Sequence, residues 1–134
     1  MKAITIKQPF ASLIAAGLKE YEFRTWKTSY RGKVLIHAGK VADGKAMKKF
    51  ACYELDDPRG LIIAKADLTD CIWVDDAFRN ELRNQNALVY SGIIDDPTWE
   101  GYAFRLENIE RVDPVSVRGM LGLWECCMPG VTEK

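Results

Sequence analysis

The sequence predicts a small α+β domain in which short helices are inserted between the strands of a curved sheet or barrel. Stretches in which apolar and polar residues alternate recur along the chain, as expected of strands that bury one face. Between them lie short segments that begin with Asp or Pro and carry apolar residues at helical spacing. The 134 residues are enough for one hydrophobic core, so we expect a single domain over residues 1–134.

The chain begins with a predicted strand and a predicted helix. Ile4 and Ile6 alternate with polar neighbours, which indicates a strand. Pro9 suits the first position of a helix and Gly17 suits the C-terminal cap, so a short helix is expected between them.

Two further strands are predicted before residue 40. Residues 20–26 alternate again, and this alternation places Glu22, Arg24 and Trp26 on one face of the strand. Residues 33–38 form a second apolar stretch with the composition of a buried strand.

The chain beyond residue 40 adds two predicted helices and three predicted strands. Asp43 and Asp75 each precede apolar residues at helical spacing and are predicted N-caps. An apolar strand over residues 61–68 is expected to continue towards Trp73. Residues 84–101 have the composition of a long polar loop. The last two strands are predicted at residues 102–112 and 122–128.

The formal net charge is zero, but the charges are unevenly distributed. Residues 1–50 hold eleven Lys and Arg against three Asp and Glu, whereas residues 51–134 hold eight against sixteen. This asymmetry predicts a basic cleft on a molecule that is acidic elsewhere. The acidic half either keeps the domain soluble or docks a basic protein partner, which would make the chain an interaction domain.

Several function classes are disfavoured by what the sequence lacks. No stretch approaches the ~20 apolar residues of a membrane span, and the N-terminus has no signal-peptide pattern, so we expect a cytoplasmic protein without a membrane partner. The four cysteines are expected to be free thiols. No Cys-x-x-Cys spacing occurs and there is one histidine, so neither a metal nor another cofactor is expected. The oligomeric state stays open.

Lys19, Glu22 and Arg24 form the most informative cluster. The strand alternation puts Glu22 and Arg24 on one face, and Lys19 lies at the helix exit, where its side chain can reach the same face. If the cluster is buried, its two cations hold the carboxylate ionised. If it is exposed, it is a surface ion pair with little effect on stability.

The pattern Gly17-x-Lys19-x-x-Glu22-x-Arg24 resembles the signature of the ASCH domain (activating signal cointegrator-1 homology) family. The likeness covers residues 3–72, including the segments 8–13, 24–28, 31–32, 60–64 and 67–71. The resemblance implies a PUA-like β-barrel with a cleft beside the first helix, lined by the motif. It also implies a role in RNA or nucleic-acid binding.

One branch of this family consists of small amidohydrolases that remove an acyl group from acetylated cytidine. The catalytic pattern of this branch is a lysine and a threonine in the motif and a glutamate from a later helix, and the resemblance implies that the matching positions here would carry the same roles. Lys19 matches the lysine, whereas Glu22 stands at the threonine position, so the chain departs from the pattern there. Glu81 is a candidate for the later glutamate. Thr28 and Ser12 are candidate hydroxyl groups, unless they only bond to the local backbone.

The first functional hypothesis is a module that binds RNA, other single-stranded nucleic acid or a nucleotide. Trp26 or Tyr30 would stack on an unpaired base, and the start of the Pro9 helix would favour a phosphate. Gln8 has the donors and acceptors to read a base edge, as do Glu22 and Arg24. The expected phosphate contacts are Lys7, Lys19, Arg24, Lys27, Arg31 and Lys33. A plain solvated surface is expected for Lys45, Lys48 and Lys49.

The second hypothesis is a hydrolase that acts on an acylated nucleoside, with Lys19 and Glu22 as candidate catalytic residues. His37 either lines the cleft or is a structural hydrogen-bonding group. The candidate binding residues are Gln8, Pro9, Lys19, Glu22, Arg24, Trp26, Thr28, Arg31 and His37.

Overall fold

Six strands form one mixed sheet, and short helices pack against it in a computed structural model that describes residues 1–126. The strands are β1 (Lys2–Gln8), β2 (Tyr21–Arg24), β3 (Gly32–Ala42), β4 (Leu61–Trp73), β5 (Tyr102–Ser116) and β6 (Leu123–Glu125). The helices are α1 (Phe10–Ala15), α2 (Gly44–Lys49), α3 (Asp76–Asn86) and α4 (Ser91–Ile94), with a 3₁₀ turn at Ala51–Tyr53. The predicted α+β class is therefore confirmed.

The order of strands in the sheet is β2-β5-β4-β3-β1-β6. β1 and β3 are parallel, and each of the other neighbouring pairs is antiparallel. Within residues 1–126, no backbone ladder joins β2 to β6, so the sheet stays open and the expected barrel closure is not confirmed. β2 has only four residues and pairs with β5, and its link to β1 is a side chain: Nη2 of Arg24 donates a hydrogen bond of 2.8 Å to the backbone oxygen of Thr5.

Helix α1 separates two parts of the hydrophobic core. Ile14 belongs to the part enclosed by β1, β3, β4 and β5, whereas Leu13 belongs to the part that α3 and α4 cover. Phe10, which is half-buried at the start of the helix, packs against both. This position brings the end of α1, and the turn that follows it, to the boundary between the two parts.

The predicted N-caps are confirmed. The Asp43 carboxylate accepts hydrogen bonds of 3.1 Å from the backbone N–H groups of Lys45 and Ala46. The Asp75 carboxylate accepts one of 2.8 Å from the N–H of Phe78. β4 also continues to Trp73 as expected. The three cysteines within residues 1–126 are free thiols.

The prediction of a loop over residues 84–101 is wrong. α3 continues to Asn86, α4 spans Ser91–Ile94, and Val89 and Tyr90 between the helices are buried. The apolar residues Val89, Tyr90, Ile93 and Ile94 have helical spacing, but the polar residues and Pro97 around them outweighed this short signal.

Smaller corrections concern the ends of elements. Pro9 is the residue before α1 rather than its first residue, and Gly17 follows the C-cap Ala16. β2 ends at Arg24, so Trp26 lies beyond the strand. β6 ends at Glu125, and the rest of the predicted strand 122–128 extends outside the described residues. No helix within residues 1–126 has the length and apolar character to cross a membrane.

Candidate binding cleft

A cleft of about 770 Å³ opens where α1, β2 and the ends of β1 and β3 meet α2 and the α4 region. Five aromatic rings line it: Phe10, Phe23, Phe50, Tyr90 and Trp99. Lys19, Glu22 and Arg24 line it as well, so the structure brings the three charged motif residues to one cavity. The cleft combines apolar walls with a few convergent polar groups, which is typical of small-ligand sites.

The turn after α1 positions Lys19. Gly17 has φ = +77°, a left-handed conformation that strains residues with a Cβ, and it ends the helix. The backbone N–H groups of Leu18 and Lys19 then donate hydrogen bonds of 3.0 and 3.2 Å to the oxygen of Leu13. The chain thus folds back over the helix end. This turn places Lys19 at the base of the cleft, where its side chain is 3% exposed.

The Lys19 ammonium is enclosed by acceptors and rings. It donates hydrogen bonds to the backbone oxygen of Tyr21 and, at 3.3 Å, to Oε1 of Glu22. It also lies 4.9 Å from the ring centre of Phe23 and 5.6 Å from that of Phe10, which are favourable cation–π distances.

Arg24 completes the cluster from the other side of the carboxylate. Its Nε and Nη2 atoms donate hydrogen bonds of 3.1 and 2.9 Å to Oε2 of Glu22. The expected placement of Glu22 and Arg24 on one strand face is therefore confirmed. Within the buried cluster, two cations surround one carboxylate, which leaves an excess of positive charge.

Burial lowers the pKa of Lys19 below its ordinary value of 10.5. The Glu22 carboxylate opposes this shift, and the nearby Arg24 cation adds to it. The pKa of Lys19 is lowered overall, so burial of the ammonium outweighs the attraction of Glu22.

Lysines also surround the mouth of the cleft. The lining includes Lys7, Lys40, Lys45 and Lys49. Lys49 donates a hydrogen bond of 2.9 Å to the hydroxyl of Ser91. Within residues 1–126, no group accepts a hydrogen bond from the side-chain ammonium of the other three.

The cleft is basic as a whole. Its lining carries six Lys and Arg side chains against the two carboxylates of Glu22 and Asp43, and Asp43 already caps α2. The α2 lysines Lys45, Lys48 and Lys49 are exposed, as the sequence predicted, and Lys45 and Lys49 also line the cleft, whereas Lys48 does not.

Gln8 and Pro9 are buried and lie outside the lining of the cleft. The Gln8 amide donates hydrogen bonds of 2.9 Å to the Ser12 hydroxyl and 2.8 Å to the Pro58 oxygen, and it accepts one of 3.0 Å from the Ser12 N–H. These contacts fasten the start of α1 to the turn before β4. They also occupy the N–H of Ser12, one of the N–H groups at the helix start that were expected to favour a phosphate.

His37 is a structural hydrogen-bonding group in this fold. A carbonyl oxygen only accepts, so Nε2 of His37 donates the 2.8 Å bond to Val117. Nδ1 then accepts from the Thr5 hydroxyl at 3.1 Å, and this hydroxyl accepts from Nε1 of Trp124 at 3.1 Å. His37 is 2% exposed and borders a second, smaller cavity rather than the cleft.

Trp26, Thr28 and Arg31 lie outside the lining of the cleft. The Trp26 ring packs edge-on against Phe104, with 5.1 Å between ring centres, and 36% of the residue is exposed. The Thr28 hydroxyl accepts from the backbone of Tyr30, and Arg31 donates to the oxygens of Thr28 and Tyr30. Thr28 and Arg31 thus organise the loop that leads into β3.

The remaining sequence candidates also lie elsewhere. Lys33 pairs with Asp67 at 3.1 Å on the sheet, and exposed Lys27 follows β2 without lining the cleft. Glu81 is exposed on α3 and does not line it either. Within residues 1–126, no three His, Cys, Asp or Glu residues group as metal ligands.

One wall of the cleft was not predicted from the sequence. Val89, Ile93 and Trp99 line it from the region that was predicted to be a loop. Buried Arg79 supports this wall by donating hydrogen bonds to the backbone oxygens of Ile93, Asp96 and Trp99, at 3.2, 3.4 and 2.7 Å. The apolar residues between Leu88 and Trp99 were the available signal in the sequence.

Comparisons with known proteins agree on one family. The sequence profile of the ASCH domain matches residues 4–114. Activating signal cointegrator 1 of Homo sapiens is 32% identical over 81 residues, and that of Mus musculus is 33% identical. Each match covers 52% of this chain and 14% of the other protein, so this chain corresponds to a small part of those relatives.

A solved structure supports the fold. The crystal structure of ASCH from Zymomonas mobilis superimposes with a TM-score of 0.57 at 20% identity, over 87% of this chain and 73% of that chain. A single-residue variant of the same protein gives the same TM-score, over 87% and 75%. Together with the profile match, this similarity shows that the chain belongs to the ASCH domain family, whose members are generally linked to RNA binding.

Proposed function

We propose that the cleft binds a nucleotide unit of RNA or other single-stranded nucleic acid. The base enters between the aromatic walls, its polar edge meets the Lys19–Glu22–Arg24 cluster, and a phosphate meets the lysines at the mouth. The observation that carries this proposal is the set of three ammonium groups, on Lys7, Lys40 and Lys45, which stand around an aromatic cleft without a partner in residues 1–126.

The cluster has hydrogen-bonding capacity left for a base edge. The Lys19 ammonium has three donors and uses two of them on Tyr21 and Glu22. Oε2 of Glu22 accepts twice from Arg24, whereas Oε1 accepts once, from Lys19. One donor of Lys19 and one acceptor position of Oε1 are thus unused by the hydrogen bonds of the cluster within residues 1–126, and neighbouring donors and acceptors are what the edges of unpaired bases offer.

The walls supply the second part of base recognition. Phe10, Phe23, Tyr90 and Trp99 present apolar ring surface to the cleft. Contact between an unpaired base and an aromatic side chain contributes about 1–3 kcal/mol and tolerates different bases. The cleft therefore favours a flat heterocycle over an aliphatic anion.

Titration of short RNA at two salt concentrations tests the proposal. We expect binding that weakens with salt, and we expect Lys45→Gln to lower the affinity and flatten the logarithmic salt dependence by about 0.7, the value for one lost contact with a single strand. Lys48→Gln is the matched control, since Lys48 lies on the same helix outside the cleft. Absence of binding by the folded protein at low salt would refute the proposal.

A second candidate function is hydrolysis of an acylated nucleoside, and the lowered pKa of Lys19 favours it. A buried amine with a lowered pKa is a better base and nucleophile near neutral pH than an ordinary lysine. Glu22 is the other candidate group in the cleft, as a general base. A chromatographic screen of acylated nucleosides at high protein concentration tests this function, and absence of turnover by the folded protein would exclude it.

A further inference from the structure

A second cavity of about 370 Å³ adjoins the cleft. Five residues border both cavities: Thr5, Gly39, Lys40, Met120 and Leu121. The two spaces are therefore neighbours, and they are divided by parts of β1 and β3 and by the segment that follows β5.

The second cavity has the charge of an anion site. Its lining includes Lys40 and Arg118 and contains no Asp or Glu. Both side chains are exposed, and within residues 1–126 neither ammonium nor guanidinium donates to a protein acceptor. Lys40 borders both cavities, so its ammonium is available to a charge placed between them.

The wall that carries Arg118 is held in place by the hydrogen-bonded group of His37, Thr5 and Trp124. His37 donates to the backbone oxygen of Val117. A Cβ added at Gly119 would lie 2.8 Å from Cε1 of His37 and 2.8 Å from the Thr5 hydroxyl, so the backbone of residue 119 packs directly on this group. Residues 117–119 are thereby fixed to the sheet.

The next two residues project from this anchored wall. Met120 is 61% exposed and Leu121 is 98% exposed, and both border the two cavities. Exposed apolar side chains beside cations suit a ligand that alternates flat apolar rings with single negative charges. A nucleic-acid strand has this alternation, with one phosphodiester between successive bases.

We propose that the two cavities are consecutive subsites for one strand of at least two nucleotides, a proposal that rests on the function proposed for the cleft. The first base occupies the aromatic cleft, the phosphate that links it to the next nucleotide meets Lys40, and that next nucleotide occupies the second cavity, with the phosphate that follows it at Arg118. His37 is then a positioning residue, because it acts on this ligand through Val117 and Gly119.

The test compares ligand lengths. The dissociation constants of mono-, di- and trinucleotides of each of the four ribonucleotides are measured by calorimetry at one low salt concentration, with the deoxy series beside them. We expect trinucleotides to bind at least ten-fold more tightly than the matching mononucleotides. The deoxy series shows whether the second subsite also accepts DNA.

Arg118→Gln is the decisive variant, since Arg118 borders only the second cavity. We expect it to remove most of the gain from length while the mononucleotide affinity stays within two-fold. Arg83→Gln is the control, because Arg83 is exposed on α3 outside both cavities.

Three outcomes separate the two proposals. If mononucleotides bind and added length gives no gain, the two-subsite arrangement is wrong and the function proposed for the cleft stands. If length helps and Arg118→Gln behaves like Arg83→Gln, the second cavity is not the path of the strand. If nothing binds, the function proposed for the cleft fails first.

Discussion

The ammonium of Lys19 and the carboxylate of Glu22 form a buried ion pair, with 3.3 Å between Nζ and Oε1 and side-chain exposures of 3% and 10%. The same carboxylate also pairs with Arg24, with 2.9 Å between its Oε2 and Nη2 of the guanidinium. One negative group therefore compensates two positive groups at the base of the cleft, so Glu22 stabilises this region and opposes the lowering of the Lys19 pKa that burial causes.

The lowered pKa of Lys19 predicts that stability rises with pH. Below the folded-state pKa, both states are protonated and the burial penalty is fully present. As pH rises through that pKa, the folded state releases its proton first, so the free energy of unfolding increases until the unfolded-state value, 10.5, is reached. The Lys19→Met variant has no titratable group at this position, so its free energy of unfolding lacks this contribution to the pH dependence.

Urea unfolding between pH 6 and 9.5 measures this effect. The stability of the native protein minus that of Lys19→Met should rise with pH, at a rate of at most about 1.4 kcal/mol per pH unit for one proton. The range stops below the region where Tyr90 contributes, since burial raises the pKa of Tyr90 to about 12. A difference that stays constant with pH would contradict the prediction.

Glu22→Gln is predicted to destabilise the fold by about 3 kcal/mol, because it leaves Lys19 and Arg24 without their shared carboxylate. Lys19→Met in the same chain removes one of the two cations and should restore part of the loss. A double-mutant cycle by denaturant unfolding measures the coupling. Additive effects of the two changes would show that the pair does not interact as described.

Gln8→Leu is predicted to reduce stability by about 2 kcal/mol. The side chain is fully buried, and its three hydrogen bonds connect Ser12 with Pro58, so the replacement leaves buried polar groups without partners. The exposed Gln85 offers the matched change, Gln85→Leu, which should alter stability by less than about 0.5 kcal/mol. Equal midpoints of thermal unfolding for the two variants would show that the hydrogen bonds of Gln8 do not stabilise the fold as described.

Gly119→Ala is predicted to displace the segment after β5, since its Cβ would stand 2.8 Å from His37 and Thr5. Overpacking of this kind costs about 1–3 kcal/mol. Gly44→Ala is the control, because nothing lies within 4 Å of a Cβ there. The imidazole proton signals of His37, the single histidine, should shift in an NMR spectrum of Gly119→Ala and stay in place in Gly44→Ala.

Arg79→Lys is predicted to loosen the wall formed by Ile93 and Trp99. An ammonium cannot reproduce the fork with which the guanidinium reaches three backbone oxygens, and we expect a loss of about 2 kcal/mol. Trp99 should gain solvent exposure, which quenching of its fluorescence by acrylamide detects in a protein whose other tryptophans are replaced by Phe. Unchanged quenching would refute the role given to Arg79.

The parts of the site that follow from local order were predictable. Lys19, Glu22 and Arg24 lie within six residues, so helix-end geometry and strand alternation suffice to bring them together. Asp43 and Asp75 act on backbone groups two or three residues away, and their caps were predicted for the same reason.

The parts that depend on distant contacts were not predictable. Lys45 and Lys48 are both exposed on α2, and the position of this helix in the fold, which its own sequence does not specify, decides that Lys45 lines the cleft and Lys48 does not. The partners of His37 lie 32 and 80 residues away in sequence, so its structural role is set by tertiary packing. Trp26 was placed on a strand that in fact ends at Arg24.

The guanidinium of Arg24 is the one hydrogen-bonded link that the described residues show between β2 and β1. A backbone ladder would hold two strands about 4.8 Å apart whatever the side chains are. The side-chain link depends on a single residue, so a substitution at Arg24 removes it and leaves the backbone pairing of the sheet unchanged. Of the contacts that border the cleft, the one between β1 and β2 is therefore the most easily altered by a single substitution.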